Sequence, residues 1–219
     1  MPRLPANKGG LMMPNHTMQR IVRFVRRRGL VAIPGTLITH TWRSLFANYH
    51  LCFSMSGESF KQSQFVPGLK IVRCDNEGEI APDHLEQIFV EEGPESISQL
   101  RQNFTQCGIL WLGLIDQSVV AYQFSRRGCN TTRYLVNLRP EDLVIYATMT
   151  FAKWRGRGIN PAMMQYIVEK ELAGRGTAYV NCKGWNKASI RGILKAGFKP
   201  LGRYDHEIEI NAVGAVSPQ

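Results

Sequence analysis

From residue 69 onward the hydrophobic positions change period several times, and each change marks an element. Leu69 to Cys74 is a short apolar run that reads as a strand. Pro82 to Glu92 and Glu95 to Cys107 read as two helices, broken at Gly93-Pro94. Ile109 to Ile115 and Val119 to Ser125 are apolar runs with Asp116-Gln117-Ser118 between them, a hairpin signal. Arg126 to Asp142 is a polar loop, and Leu143 to Phe151 is a β-branched, aromatic strand. Pro161 to Ala173 predicts a helix with Met163, Met164, Ile167, Val168 and Leu172 on one face. Pro161 sits in its first turn, and Gly174 and Gly176 stop it. Ala178 to Cys182 reads as a strand, and Asn186 to Ala196 as a helix capped by Asn186 and ended by Gly197. Phe198 to Tyr204 and Glu207 to Ile210 are the last candidate strands. This order predicts a mixed sheet with helices on its faces, an α/β or α+β domain.

The first part of the chain is different in kind. Residues 1–17, rich in Pro, Gly, Asn and Met, read as disordered. Residues 18–57 read as a basic amphipathic extension. Met18, Ile21, Val22, Val25 and Leu30 recur near helical spacing among arginines, and a second apolar stretch runs through Leu37, Ile38, Trp42, Leu45, Phe46, Tyr49 and Leu51. Such a segment lies on an anionic membrane surface, packs on a partner or covers its own domain. Residues 58–68 read as a linker, 69–211 as the main domain and 212–219 as a tail.

Charge sharpens that division. The net charge is +10, yet residues 1–57 hold no Asp or Glu and eight Lys or Arg. The rest is nearly balanced, so the basicity belongs to the extension and nucleic acid is not an expected partner. The five cysteines are scattered and include no C-x-x-C pair, and His40, His50 and His84 show no metal-like spacing. Neither a metal nor a disulfide framework is expected. With no long apolar run, the expected location is cytoplasmic, with residues 18–53 able to lie on the inner membrane face.

The candidate chemistry lies in Arg155-Gly156-Arg157-Gly158-Ile159-Asn160, between a strand and a helix. A glycine turn into a helix leaves backbone N–H groups unpaired and pointing one way, a seat for a phosphate. A mononucleotide loop needs Lys-Ser/Thr after its last glycine, and Ile159-Asn160 stands there instead. A dinucleotide fingerprint needs a third glycine and a later acidic residue, and this sequence has Pro161 and nothing acidic around Cys182. A third class, R-x-x-G-x-G/A, holds the pyrophosphate of coenzyme A.

Residues Thr150 to Asn160, together with Asn186-Lys187-Ala188-Ser189-Ile190-Arg191-Gly192-Ile193-Leu194-Lys195-Ala196-Gly197-Phe198, resemble the two motifs of the GNAT (Gcn5-related N-acetyltransferase) superfamily. The resemblance covers about Leu69 to Ile210. It implies the GNAT fold, a mixed, mostly antiparallel sheet flanked by helices, and acetyl-CoA or another acyl-CoA as co-substrate. The amides of Arg157, Gly158, Ile159 and Asn160 would hold the pyrophosphate, with Arg155, Gly156 and Arg157 beside it. Backbone groups of Met149 and Thr150 would pair with pantetheine, and Asn186 and Ser189 would lie along it. Capping accounts for Asn186 and Ser189 equally well.

Two positions depart from the pattern. Asn160 replaces a small residue, and Ile193 stands where many members carry a tyrosine that protonates the thiolate. Ser189, Tyr146 and Tyr179 are the substitute catalytic candidates. Asp142, Asp205, His206 and Glu207 are candidate bases by residue type alone. The activity implied is N-acyl transfer to a primary amine by direct attack in a ternary complex. Small-molecule amines, sugar amines and protein N-termini all fit as acceptors. The alternatives are a catalytically silent acyl-CoA sensor and a membrane-surface adaptor.

Overall fold

A computed structural model describes residues 49–59 and 65–204. The chain divides at Ala47/Asn48, and every described residue lies on the C-terminal side of that division. The expectations for residues 1–17, for the amphipathic stretch up to 48, for the 207–210 strand and for the 212–219 tail lie outside the described residues. So do candidate bases 205–207.

The described residues form one seven-stranded sheet with spatial order β2-β3-β4-β5-β6-β1-β7. In chain order the strands are β1 (His50–Ser56), β2 (Lys70–Cys74), β3 (Ile109–Ile115), β4 (Ser118–Arg127), β5 (Leu143–Thr150), β6 (Thr177–Lys183) and β7 (Lys199–Tyr204). The helices are α1 (Pro82–Glu92), α2 (Pro94–Thr105), α3 (Ile159–Leu172) and α4 (Lys187–Lys195). All neighbours are antiparallel except β5 and β6. From β2 onward the elements follow the sequence pattern closely, and α3 starts two residues ahead of the expected Pro161.

The terminators act as their chemistry requires. Pro82 and Pro94 each open a helix where no N–H is needed, and Gly93 separates the two at φ 89°. Asp116 and Gln117 both take positive φ, which matches a two-residue hairpin to the strand twist.

One expectation is corrected. Residues 50–56 are not part of an amphipathic helix; they are β1, paired with β6 on one side and β7 on the other. Leu51, Phe53 and Met55 alternate onto one face and join the core there. The domain therefore begins before residue 58. A two-residue period across the partly apolar run decides the matter, because only an extended strand places all three on one side.

Two apolar layers cover the sheet. One lies under α3 and α4 and includes Phe53, Trp111, Ile145, Met163, Ile167, Val180, Ile193 and Phe198. The other lies under α1 and α2 and includes Ile88, Leu100, Leu110, Leu112, Phe124 and Phe151. Burial of this kind is the main driving force for folding, at roughly 25 cal/mol per Å² of apolar surface.

Candidate functional site

β5 is interrupted at its middle. Tyr122 pairs with Met149 and Phe124 with Tyr146, so one residue of β4 faces two of β5. Ala147 takes φ 46° in this bulge. A bulge bends and twists its strand. On the other edge β5 pairs with β6 at only three positions, Leu143↔Ala178, Val144↔Tyr179 and Ile145↔Val180. Beyond Ile145 the two parallel strands part, and the outer end of β5 is left with an unpaired edge.

That edge opens into a cleft of about 610 Å³. Thr148, Met149 and Thr150 line it from β5, Arg155 to Asn160 (without Arg157) from the loop, and Ala188, Ser189, Arg191, Gly192 and Lys195 from α4. Trp154, Pro161 and Asn186 complete it. Arg155, Arg191 and Lys195 are its charged residues, and none of the lining residues is acidic. The potential therefore suits an anion.

The loop is built for backbone donation. Gly156 and Gly158 take φ 81° and 80°, and an added Cβ at Gly156 would meet nothing within 4 Å. The glycines thus serve left-handed geometry rather than close packing. Gly158 is the N-cap of α3, and the first helical bond runs from Ala162 N–H to its carbonyl at 3.2 Å. The N–H groups of Ile159 and Asn160 precede that bond and have no helical acceptor, and Pro161 has no N–H to satisfy. The helix dipole adds positive potential at the same point.

The side chains divide unevenly. Arg155 folds back so that its Nε donates to the Thr150 carbonyl at 3.0 Å, tying the loop to the end of β5. Arg157 stacks over Trp154 at 4.7 Å, outside the residues that line the cleft. Asn186 caps α4, its Oδ1 accepting from Ser189 N–H at 3.1 Å. Burial raises the Cys182 thiol pKa, and Ser189 beside it pulls the other way.

Of the three catalytic candidates, only Ser189 lines the cleft. Tyr146 lies on the α1/α2 face. Its hydroxyl accepts from Arg126 Nη2 at 2.9 Å, and its ring packs on Phe124. Tyr179 makes an edge contact with Tyr134. Burial raises the pKa of both tyrosines, which makes them poorer acids. The bulge breaks the two-residue alternation between Tyr146 and Met149. Ile193 is fully buried in the core layer, so its position holds no acid. Asp142 is buried rather than solvated, and its carboxylate accepts from Arg139 N–H at 2.8 Å and Thr177 N–H at 2.9 Å. It is a brace between the loop and β6.

Arg191 and Lys195 are lining residues that the sequence reading left out. Their spacing with Ala188 and Gly192 is one helical face, and that signal was present. Among the described residues no group of three His, Cys, Asp or Glu side chains could hold a metal. None of their helices is long and apolar enough to cross a membrane.

No family model matches the sequence, and no curated protein does. Solved structures do match in fold. A GNAT-family acetyltransferase from Colwellia psychrerythraea superposes with a TM-score of 0.51 at 12% identity, over 71% of this chain and 53% of that one. A conserved protein of unknown function from Staphylococcus epidermidis superposes with a TM-score of 0.51 at 9% identity, over 76% of this chain and 64% of that one. The chain thus spans less than two thirds of the length of either structure.

Proposed function

From a chain with the GNAT fold, we propose an acyl-CoA-dependent N-acyltransferase that moves an acetyl or related group from coenzyme A to a primary amine. The observation that carries this reading is the conjunction in one cleft of an unpaired strand edge, an anion-seating helix start and a second helix. Pantetheine extends along the free edge of β5, where backbone groups of Met149 and Thr150 pair with its amides. The pyrophosphate sits on the N–H groups of Gly158, Ile159 and Asn160, with Arg155 and Lys195 supplying charge. The Arg157 guanidinium is stacked on Trp154, so this residue contributes its main-chain amide rather than its side chain.

In the reaction a neutral amine attacks the thioester carbonyl while donor and acceptor are bound together. A backbone N–H at the β5 edge stabilises the oxyanion. The proton that the amine nitrogen loses passes through Ser189, acting as a relay, or through water to the leaving thiolate, since Ile193 supplies none. Isothermal titration with coenzyme A and a mass-spectrometric screen of acetyl transfer to small amines, sugar amines and peptide N-termini test the proposal. Micromolar binding with transfer to one acceptor class supports it. Absence of binding overturns it. Binding without transfer to any amine favours the second reading, an acyl-CoA sensor, which the buried Ile193 supports.

A further inference from the structure

We propose that the Asn160 side-chain amide is a hydrogen-bond donor to the bound pyrophosphate, and that Gln123 is the positioning residue that aims it. The inference rests on the coenzyme A reading above and gives a role to the one loop residue that departs from the motif.

Gln123 lies on β4 opposite the bulge, and it is fully buried. Its Nε2 donates to the Asn160 backbone carbonyl at 3.1 Å and to Asn160 Oδ1 at 2.6 Å. Two acceptors converge on one nitrogen, which fixes the orientation of both amides. Turning either one over would set oxygen against oxygen or nitrogen against nitrogen. Gln123 Oε1 is left buried, with no partner among the described residues. Burying an amide oxygen in this way costs free energy. The compensation available to Gln123 is its hold on Asn160.

With Oδ1 occupied, Asn160 Nδ2 must point away from the sheet. It lies 3.2 Å from where a Cβ on Gly192 would stand, on the side toward α4, and Asn160 and Gly192 both line the cleft. No described acceptor takes the Nδ2 hydrogens. The unpaired N–H groups of Ile159 and Asn160 start from the same turn of α3. The side-chain amide therefore adds to a donor set that the backbone has begun. A small residue at 160 would supply the backbone part alone.

The test is titration of the full chain with coenzyme A and, by competition, with pantetheine, which lacks the pyrophosphate. Asn160→Ala and Gln123→Leu should each weaken coenzyme A by about tenfold, the loss of one charge-assisted bond, and leave pantetheine unchanged. The double variant should bind no worse than Asn160→Ala, because Gln123 acts through Asn160. Asn160→Asp keeps an acceptor for Gln123 and turns a carboxylate toward the phosphates, so it should fall well below Asn160→Ala. This last variant decides the matter even where Gln123→Leu fails to fold. Unchanged coenzyme A affinity in Asn160→Ala, wild-type affinity in Asn160→Asp, losses that add in the double variant, or equal loss for pantetheine would each overturn the inference. A wild-type chain that does not bind coenzyme A overturns the reading beneath it instead.

Discussion

The two halves of the sheet are assembled in different ways. β2 to β5 are neighbours in sequence as well as in space, and β3 and β4 are joined by a two-residue turn. β6, β1 and β7 come from distant parts of the chain: His50 faces Lys183 on one side and Tyr204 on the other. Three residue pairs, the Asp142 brace and the shared apolar layer under α3 and α4 join the halves across β5 and β6. The cleft opens where that joint ends. A site at a seam depends on both halves, although its motifs sit in the loop and in α4. The local half is expected to tolerate change at one position, and the non-local half to fail as a unit.

The strongest test of this difference is truncation. A chain that starts at residue 58 lacks β1 and should not fold, while one that starts at residue 48 should keep its cooperative melt; circular dichroism distinguishes them. A surviving melt without β1 would break the comparison. Next in size is Phe53→Ala, expected to cost about 3–5 kcal/mol in urea titration, since its ring is fully buried. Two cysteines show where that loss falls. Cys52 in β1 and Cys74 in β2 are both fully buried, and burial pushes each thiol to about 11. At pH 8 a maleimide should label the exposed Cys107 and Cys129 and spare these two. In Phe53→Ala, Cys52 should become reactive well before Cys74, and simultaneous labelling would merge the two halves into one unit.

Smaller effects sharpen the seam. Asp142→Ala leaves two backbone N–H groups without their acceptor and should cost about 3 kcal/mol. Because it loosens the joint, it should also weaken coenzyme A binding from a distance. Asn186→Ala removes a helix cap and should cost about 1 kcal/mol, measured as a shift in the urea midpoint. Arg101→Ala breaks the ion pair with Glu77, whose contacts of 2.8 to 3.0 Å lie on the solvent side of α2. Its melting temperature should match the wild type.

The same division governs what could be read from the amino acids. Elements of the local half announce themselves through short-range periodicity and turn residues, and they match to within a residue or two. The loop and α4 were legible because backbone chemistry ties glycines and caps to fixed spacings. β1 was not, although Leu51, Phe53 and Met55 alternate with His50, Ser54 and Ser56. The apolar residues just before it continue a helix-like pattern, and pairing partners over a hundred residues away leave no local trace. The face that Tyr146 takes was not legible either, because a one-residue bulge reverses the alternation along β5. The Gln123–Asn160 bond was invisible for a related reason: nothing at either position signals the other until β4 and α3 are packed.

The placement of β1 also sets a schedule for synthesis. It leaves the ribosome first of the seven strands and pairs with the sixth and the last. Between those events its backbone donors and acceptors have no native partner, while the local half can form behind it. Such strands are slow to settle and prone to pairing with the wrong edge. The last residue that lines the cleft, Lys195, is made just before Lys199–Tyr204, the strand that covers the outer edge of β1.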